Sequence, residues 1–215
     1  MTRATSRPES TRRRQRWPDG YDPENTRNSL ITSALGLIEQ RGFDRTSVQE
    51  IADQAQLTKG AFYHHFASKD DLLRHIQEEY LEAQLAAIQK IEADSDDPTV
   101  RVRELIRFSL TSVAEYRAHV TIFYQERRYL TGDLFAEVTR KRGLVEAAFA
   151  GMVADGVARG VFRADVDPRI ATFGLVGMCA WAYQWLNVGG PLSVDEVARQ
   201  FGAMVLEGLT ARPGS

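Results

Sequence analysis

Residues Leu57-Thr-Lys-Gly-Ala-Phe-Tyr-His-His-Phe66 bring hydroxyls, an ammonium, a glycine and two imidazoles into one short stretch. This is the chemistry of holding phosphates and base edges, not of breaking bonds. At a helix start the free amides and the dipole attract phosphate, and Lys59 adds a point charge there. Tyr63 can donate its hydroxyl to a phosphate oxygen while its ring rests on sugar, and Gly60 lets a backbone come close. Leu57, Phe62 and Phe66 fall on the inward side of such a helix, leaving Thr58, Lys59, Ala61, Tyr63, His64 and His65 outside or along the seam. The two histidines diverge by roughly 100° about the axis, so they do not chelate a metal as an i, i+4 pair would. They read either as a solvated pair at a helix end or, for His64, as a further nucleic-acid contact.

These residues need elements to position them. Asp22-Pro23 opens a first helix, and Leu30, Ile31, Ala34, Leu35 and Ile38 recur on one face until Arg41-Gly42 ends it. Ser47-Val-Gln-Glu50 spells a capping box that starts a second, short helix with Ile51, Ala52 and Ala55 on one face. After a turn at Gln56-Leu57, Thr58 caps a third helix running to about Phe66, and Ser68-Lys-Asp-Asp71 caps a fourth. Leu73, Ile76, Tyr80, Leu81, Leu85, Ile88 and Ile91 keep the helical period along the fourth until the acidic run 94–97 stops it. Three short helices with a brief turn between the second and third make the arrangement that lays one helix in the DNA major groove. Further helices are expected near Pro98, His119, Thr131 and Pro168 and at Ser193, where Ser193-Val-Asp-Glu196 reads as another capping box. Gly160 is expected just past a helix end.

Composition sets the limits. The 215 residues are 43% hydrophobic and 26% charged, as in a globular protein with a sizeable core. With 27 Lys and Arg against 29 Asp and Glu, any nucleic-acid contact must come from locally placed cations. Residues 1–75 carry 12 basic and 10 acidic side chains, so the front is mildly basic and the rear acidic. Arg3, Arg7, Arg12, Arg13, Arg14 and Arg16 face only Glu9 and Asp19 in the first twenty residues. They form a cationic tail, disordered when free, that reads as a solvated extension or as an arm reaching a minor groove or phosphates. A single cysteine, Cys179, makes no intrachain disulfide and fits a reducing compartment. No segment has the length and apolarity of a signal sequence or a membrane span, so a cytoplasmic protein is expected.

Taken together, Thr46-Ser-Val-Gln-Glu-Ile-Ala52, Leu57-Thr-Lys-Gly-Ala-Phe-Tyr-His-His-Phe66 and Ser68-Lys-Asp-Asp-Leu-Leu73 resemble the TetR family of one-component transcriptional regulators, over roughly Leu30 to Leu73. The resemblance implies DNA contacts by Thr46 and Ser47 at the second helix, by Thr58, Lys59, Gly60, Ala61, Tyr63 and His64 at the third, and by Lys69 on a phosphate beyond it. One position departs from the family, which usually has glycine where Gln56 stands. A left-handed backbone costs a non-glycine residue roughly 1 kcal/mol, so a slightly reshaped turn is expected.

The resemblance also implies that the helices after Ile91 build a ligand pocket and a dimer interface. Phe108, Tyr116, Phe123, Tyr124, Arg127, Arg128, Phe149, Met152, Trp181, Gln184 and Trp185 have the composition of a mostly apolar cavity, and the same residues also read as plain core. Tyr124-Gln-Glu-Arg-Arg-Tyr129 reads as an ion-pair network through Glu126 or as recognition of an anionic group. With Trp181-Ala-Tyr-Gln-Trp185 and Gly189-Gly-Pro-Leu-Ser-Val-Asp-Glu196, it resembles the TetR regulators of fatty-acid and sterol breakdown that respond to acyl-coenzyme A thioesters. Such a ligand needs an apolar tunnel and cations for its phosphates, for which Arg127, Arg128, Arg140, Lys141 and Arg142 are the candidates. Val194, Val197, Phe201, Val205 and Leu209, with Phe173 and Gly177 on the helix before, would give two helices per subunit to a four-helix dimer interface. A two-fold dimer places its recognition helices about one groove turn apart on a pseudo-palindromic operator.

The expected architecture is all-α. Residues 1–21 form the tail, 22–68 a helix-turn-helix DNA-binding domain, and 69–211 a helical effector-binding and dimerisation domain entered through the long helix. The expected function is a ligand-responsive regulator, a repressor released from its operator by a hydrophobic effector such as an acyl-coenzyme A thioester. The alternatives are a regulator of a drug-efflux gene, and a DNA-binding dimer with no small ligand. An enzyme using the aromatic cavity lacks a nucleophile with a partnered base, clustered metal ligands or a phosphate-cradling glycine loop. Hence no catalytic residue, metal or cofactor is expected, and the expected partners are operator DNA, the effector and a second copy of the chain, with no membrane.

Overall fold

Caps and stops in the sequence set most helix boundaries. Asp22 accepts from the amides of Glu24 and Asn25 at the head of α1 (Pro23–Arg41), which ends at Gly42 with φ 85°. Ser47 and Glu50 close both arms of the capping box on α2 (Val48–Gln54), at 2.9 and 3.2 Å. Thr58 caps α3 (Lys59–His65) and Ser68 caps α4 (Lys69–Asp94). Asp97 and Asp167, each followed by proline, cap α5 (Pro98–Glu115) and α8 (Pro168–Trp181). Between them lie α6 (Arg117–Gln125) and α7 (Gly132–Ala158), and α9 (Val194–Leu209) is the last helix described. This is a computed structural model describing residues 22–125, 129, 131–187 and 189–210; the Arg-rich tail, Arg127 and Arg128 lie outside the described residues.

Two local expectations need correction. The turn at Gln56 is not reshaped: Gln56 itself takes φ 58°, and it is the sole non-glycine residue at positive φ among those described. At α9 only half of the second capping box forms, because Glu196 turns its carboxylate to Arg199 and Gln200 rather than back to Ser193. Gly160 does stand past the end of α7, with φ 69°. There the chain reverses so tightly that a Cβ on Gly156 would fall 2.2 Å from the Phe162 ring.

The helices form one all-α structure, with no strand among the described residues beyond an isolated bridge between Phe162 and Thr210. In front, α1, α2 and α3 close over Leu30, Ala34, Ile51, Phe62, Phe66, Leu72 and Leu73. The long α4 carries this core rearward, packing along α7 and touching α5 and α6. Helix α5 is central to the rear, against α7, α8 and α9, while α6 lies against α1 and so joins the rear to the front. Where α4 meets α7 nearest the front, the contact is ionic. Arg74 lies 2.8 Å from Asp71, 2.7 Å from Glu78 and 3.7 Å from Glu137, and Lys141 lies 2.7 Å from Glu82 and 3.6 Å from Glu78.

Candidate nucleic-acid interface and internal cavity

The outer face of α3 is built by two opposing demands. Phe62 and Phe66 are sealed in the core, and this turns Thr58, Lys59, Gly60, Tyr63 and His64 outward, with Ala61 half-buried beside them. Tyr63 keeps 51% of its surface exposed, a large apolar ring left uncovered. Lys59 holds its ammonium 6.0 Å from that ring's centroid, so cation and phenol form one outward patch. Thr58 accepts the Ala61 amide at 3.1 Å and keeps its own hydroxyl proton to give. A Cβ at Gly60 would meet only the Thr58 hydroxyl, at 3.6 Å, so nothing inside the chain demands a glycine there.

At the start of α2, Ser47 is exposed, but its hydroxyl donates to Glu50 at 2.6 Å. Arg41 lies 3.0 Å from the other oxygen of Glu50, and these bonds hold its carboxyl below the usual carboxylate range. Thr46 does not face outward as expected. It is 1% exposed, and its hydroxyl donates to the Gly42 carbonyl because the turn after α1 needs that donor. Lys69 likewise is spent inward, donating to the carbonyls of Phe43 and Thr46 at 2.8 and 2.9 Å with its ammonium 4.2 Å from the Phe43 ring centroid. Both residues pin the α1–α2 turn to the head of α4 and thereby fix where α2 begins. His65 turns partly inward, its ring 5.1 Å from His64 and 6.4 Å from Phe66, and burial lowers its pKa. Among the described residues no group of three metal-ligating side chains forms.

Behind this surface, α4 to α8 line a cavity of about 40 Å³ that is partly open to solvent. Of the expected effector residues, Phe123, Tyr124 and Phe149 meet there. Met152 is buried core outside the lining, and Phe108 faces a separate groove between α4 and α5. Tyr116, Trp181, Gln184 and Trp185 are exposed and do not line the cavity. Trp181 is the last residue of α8, whose buried face is Thr172, Leu175 and Cys179, and Tyr116, Gln184 and Trp185 stand past the ends of α5 and α8. The remaining walls are apolar side chains together with Tyr80 and Gln84 from α4, Ser109 from α5, Glu146 from α7 and Cys179 from α8, none of them among the expected effector residues, and Arg142 from α7, one of the expected cations. Tyr80 packs on Phe123 at 5.3 Å, and burial pushes the hydroxyls of Tyr80 and Tyr124 up and the Cys179 thiol up to about 12. These groups are therefore neutral, and the charge in the wall is the Arg142–Glu146 pair, closed at 2.8 Å. The cavity can hold an apolar body and offer one cation at its wall.

The expected dimer residues also divide. Val197 and Leu209 are buried against the rest of the same chain, Val194, Phe201 and Val205 are half-buried, and Phe173 and Gly177 are exposed. Ile170 and Trp181 join Phe173, Gly174 and Gly177 on the outward stripe of α8, and Met204 stands exposed on α9. No helix among the described residues is long and apolar enough to cross a membrane.

Comparison with known proteins gives this geometry a context. Residues 30–76 match the family profile of bacterial regulatory proteins, tetR family, and residues 95–209 match that of the tetracyclin repressor-like C-terminal domain. The chain is 30% identical over 187 residues to the HTH-type transcriptional repressor KstR2 of Rhodococcus jostii, covering 86% of this chain and 91% of the relative. The solved structure of the ketosteroid transcriptional regulator KstR2 of Mycobacterium tuberculosis superposes with a TM-score of 0.77 at 26% identity, over 86% of this chain and 95% of the other. AibR, solved in complex with isovaleryl coenzyme A and operator DNA, superposes with a TM-score of 0.76 at 27% identity, over 83% of this chain and 97% of the other.

Proposed function

Because this chain belongs to the TetR family of bacterial regulatory proteins, we propose that it is a cytoplasmic repressor. In this reading it grips a pseudo-palindromic operator as a dimer and lets go when an acyl-coenzyme A thioester enters the rear cavity. The observation that carries the reading is the outer face of α3, where Thr58, Lys59, Gly60 and Tyr63 stand exposed around a capped helix start. Residues 22–68 act as the DNA-binding domain and 69–211 as the effector and dimer domain. Ser47, Thr58, Lys59, Tyr63 and His64 meet the DNA, while Thr46 and Lys69 hold the start of α2 from behind.

The repressor reading is supported by the KstR2 relatives, named as repressors, and the effector class by the AibR complex with isovaleryl coenzyme A and by a mostly apolar cavity with Arg142 in its wall. At about 40 Å³ the cavity is too small for an acyl chain, so binding must part α4 from α7 and α8. A ligand that favours the parted form weakens DNA binding by the same factor by which DNA weakens the ligand. The stripe Ile170, Phe173, Gly174, Gly177 and Trp181, with Met204, supports a second copy packing on α8 and α9.

Fluorescence-polarisation titration of duplex DNA from upstream of the chain's own gene, at two salt concentrations, tests the reading. Salt-sensitive binding that an acyl-coenzyme A thioester releases is the expected outcome. Binding unmoved by any thioester overturns the effector class, and binding no tighter than to unrelated DNA overturns the operator.

A further inference from the structure

Helix α4 lends Tyr80, Leu81 and Gln84 to the cavity wall. At roughly 100° per residue these three define one face, and Gln77 falls near its middle, two turns before Gln84 and one turn before Leu81. Gln77 is 0% exposed, and neither its Nε2 nor its Oε1 has a hydrogen-bond partner among the described residues. Buried amides almost always find partners, and an apolar side chain of the same size would carry no such penalty. The unmet amide is therefore a liability to the fold, and it stands on the α4 face that lines the cavity, just beyond the cavity wall itself. Admitting an acyl body has to enlarge that cavity, and the next layer along the α4 face is Gln77.

We propose that Gln77 is the far polar end of the effector site, where it selects an apolar ligand carrying a neutral oxygen group at its tip, above all a hydroxyl. This rests on the cavity being the effector site. The chemistry follows from the amide, which has a donor and an acceptor both unmatched. A hydroxyl serves both, giving its proton to Oε1 and accepting from Nε2; a ketone serves only Nε2, and a hydrocarbon neither. An anionic tip would be stranded. The neighbouring cations on α4 and α7 are engaged, Arg74 with Asp71 and Glu78 and Lys141 with Glu78 Oε2, while Glu78 Oε1 is itself buried without a hydrogen-bond partner among the described residues and repels an anion. Arg142, on exchanging its bond to Glu146, meets the charged head of a thioester, and Gln77 reads the opposite end of the acyl body.

Two measurements on the full-length protein decide this. First, thermal unfolding without ligand: Gln77→Met, with Gln77→Leu as its second form, is expected to raise Tm by about 2–4 °C. A fall in Tm for both variants would show that the amide is satisfied in the folded protein, and would overturn the proposal. Second, release of the upstream duplex by octanoyl-coenzyme A and by its terminally hydroxylated counterpart. The wild type is expected to respond to the hydroxylated thioester at about tenfold lower concentration, and Gln77→Met to respond to the two alike. Preference retained in the variant overturns the proposal. If neither thioester releases the wild type, the acyl-thioester reading falls separately, and thermal shifts with octanol against octane decide Gln77: equal shifts in the wild type overturn its role.

Discussion

The front and rear of this chain are both stacks of capped helices, yet their interiors differ in kind. In front, Phe62, Phe66, Leu30, Ile51 and Leu72 are closed to solvent, and the polar groups beneath the surface are consumed by turns, Thr46 on Gly42 and Lys69 on Phe43 and Thr46. In the rear a cavity persists beside Tyr80 and Phe123, the Gln77 amide is buried without a partner among the described residues, and part of the α4–α7 contact is ionic. The front thus presents a fixed surface, while the imperfectly filled rear is the part that a ligand can reorganise. The front has its own exceptions, Gln56 at φ 58° and the unpartnered buried Nε of Arg41, but neither borders a cavity, whereas the unmet Gln77 amide lies on the helix face that lines one.

The sharpest way to break that contrast is to cut one aromatic from each side. Phe62→Ala is expected to cost about 3–5 kcal/mol by denaturant unfolding and to abolish operator binding, since the recognition helix loses its anchor. Phe149→Ala enlarges a cavity that already exists, so a smaller loss is expected, with operator binding kept. Equal losses, or loss of operator binding in both, would erase the distinction between a rigid front and an adaptable rear.

Next in size is a change that should touch function alone. Lys59→Ala combined with Tyr63→Ala removes an exposed patch without opening the core. Operator affinity is expected to fall about 10–100-fold and the salt slope by about one, with Tm unchanged. Normal operator binding by the double variant would remove α3 from the DNA interface.

The same contrast explains what was legible in the sequence. The helices of the front, and the caps at Asp22, Ser47, Thr58 and Ser68, are local events written in neighbouring residues, and they stand where the pattern put them. Thr46 and Lys69 show the limit even there, because a motif names a position and not the side to which its side chain turns. In the rear, periodicity finds the apolar face of a helix without naming what covers it. Val197 and Leu209 share a stripe with Val205, but their face is taken by the same chain. Tyr80 reads as one more apolar position on α4, and Gln84, Ser109 and Glu146 carry no signal at all until five helices converge on them. The exposed Trp181 and Trp185 illustrate the converse, aromatic composition that does not build the cavity.

Acidification compares the halves through their histidines. Burial lowers the pKa of His65 and His75 in front and of His119 in the rear, each from 6.5. The unfolded chain therefore binds more protons than the folded one just below that value, so stability is full above about pH 6.5 and declines as pH falls through the lowered pKa values. Thermal unfolding followed from about pH 7.5 to 5.5 is expected to show Tm dropping with acid. His65→Gln with His75→Gln should flatten more of that slope than His119→Gln, and the reverse order would place the acid-sensitive part in the rear.

The smallest effect concerns a local rule that the front breaks. Gln56 sits at φ 58° in the turn between α2 and α3, exposed, where its side chain gains no burial in exchange for the left-handed backbone. Gln56→Gly removes that strain but frees the unfolded chain, and the balance is a gain of about 0.5–1 kcal/mol. Tm is expected to rise by about 1–3 °C. Operator affinity should stay constant, because the turn already holds the geometry that glycine would adopt. If stability rises and affinity falls instead, the strained Gln56 side chain belongs to the DNA surface, and the broken rule marks function in front just as the unmet Gln77 amide does in the rear.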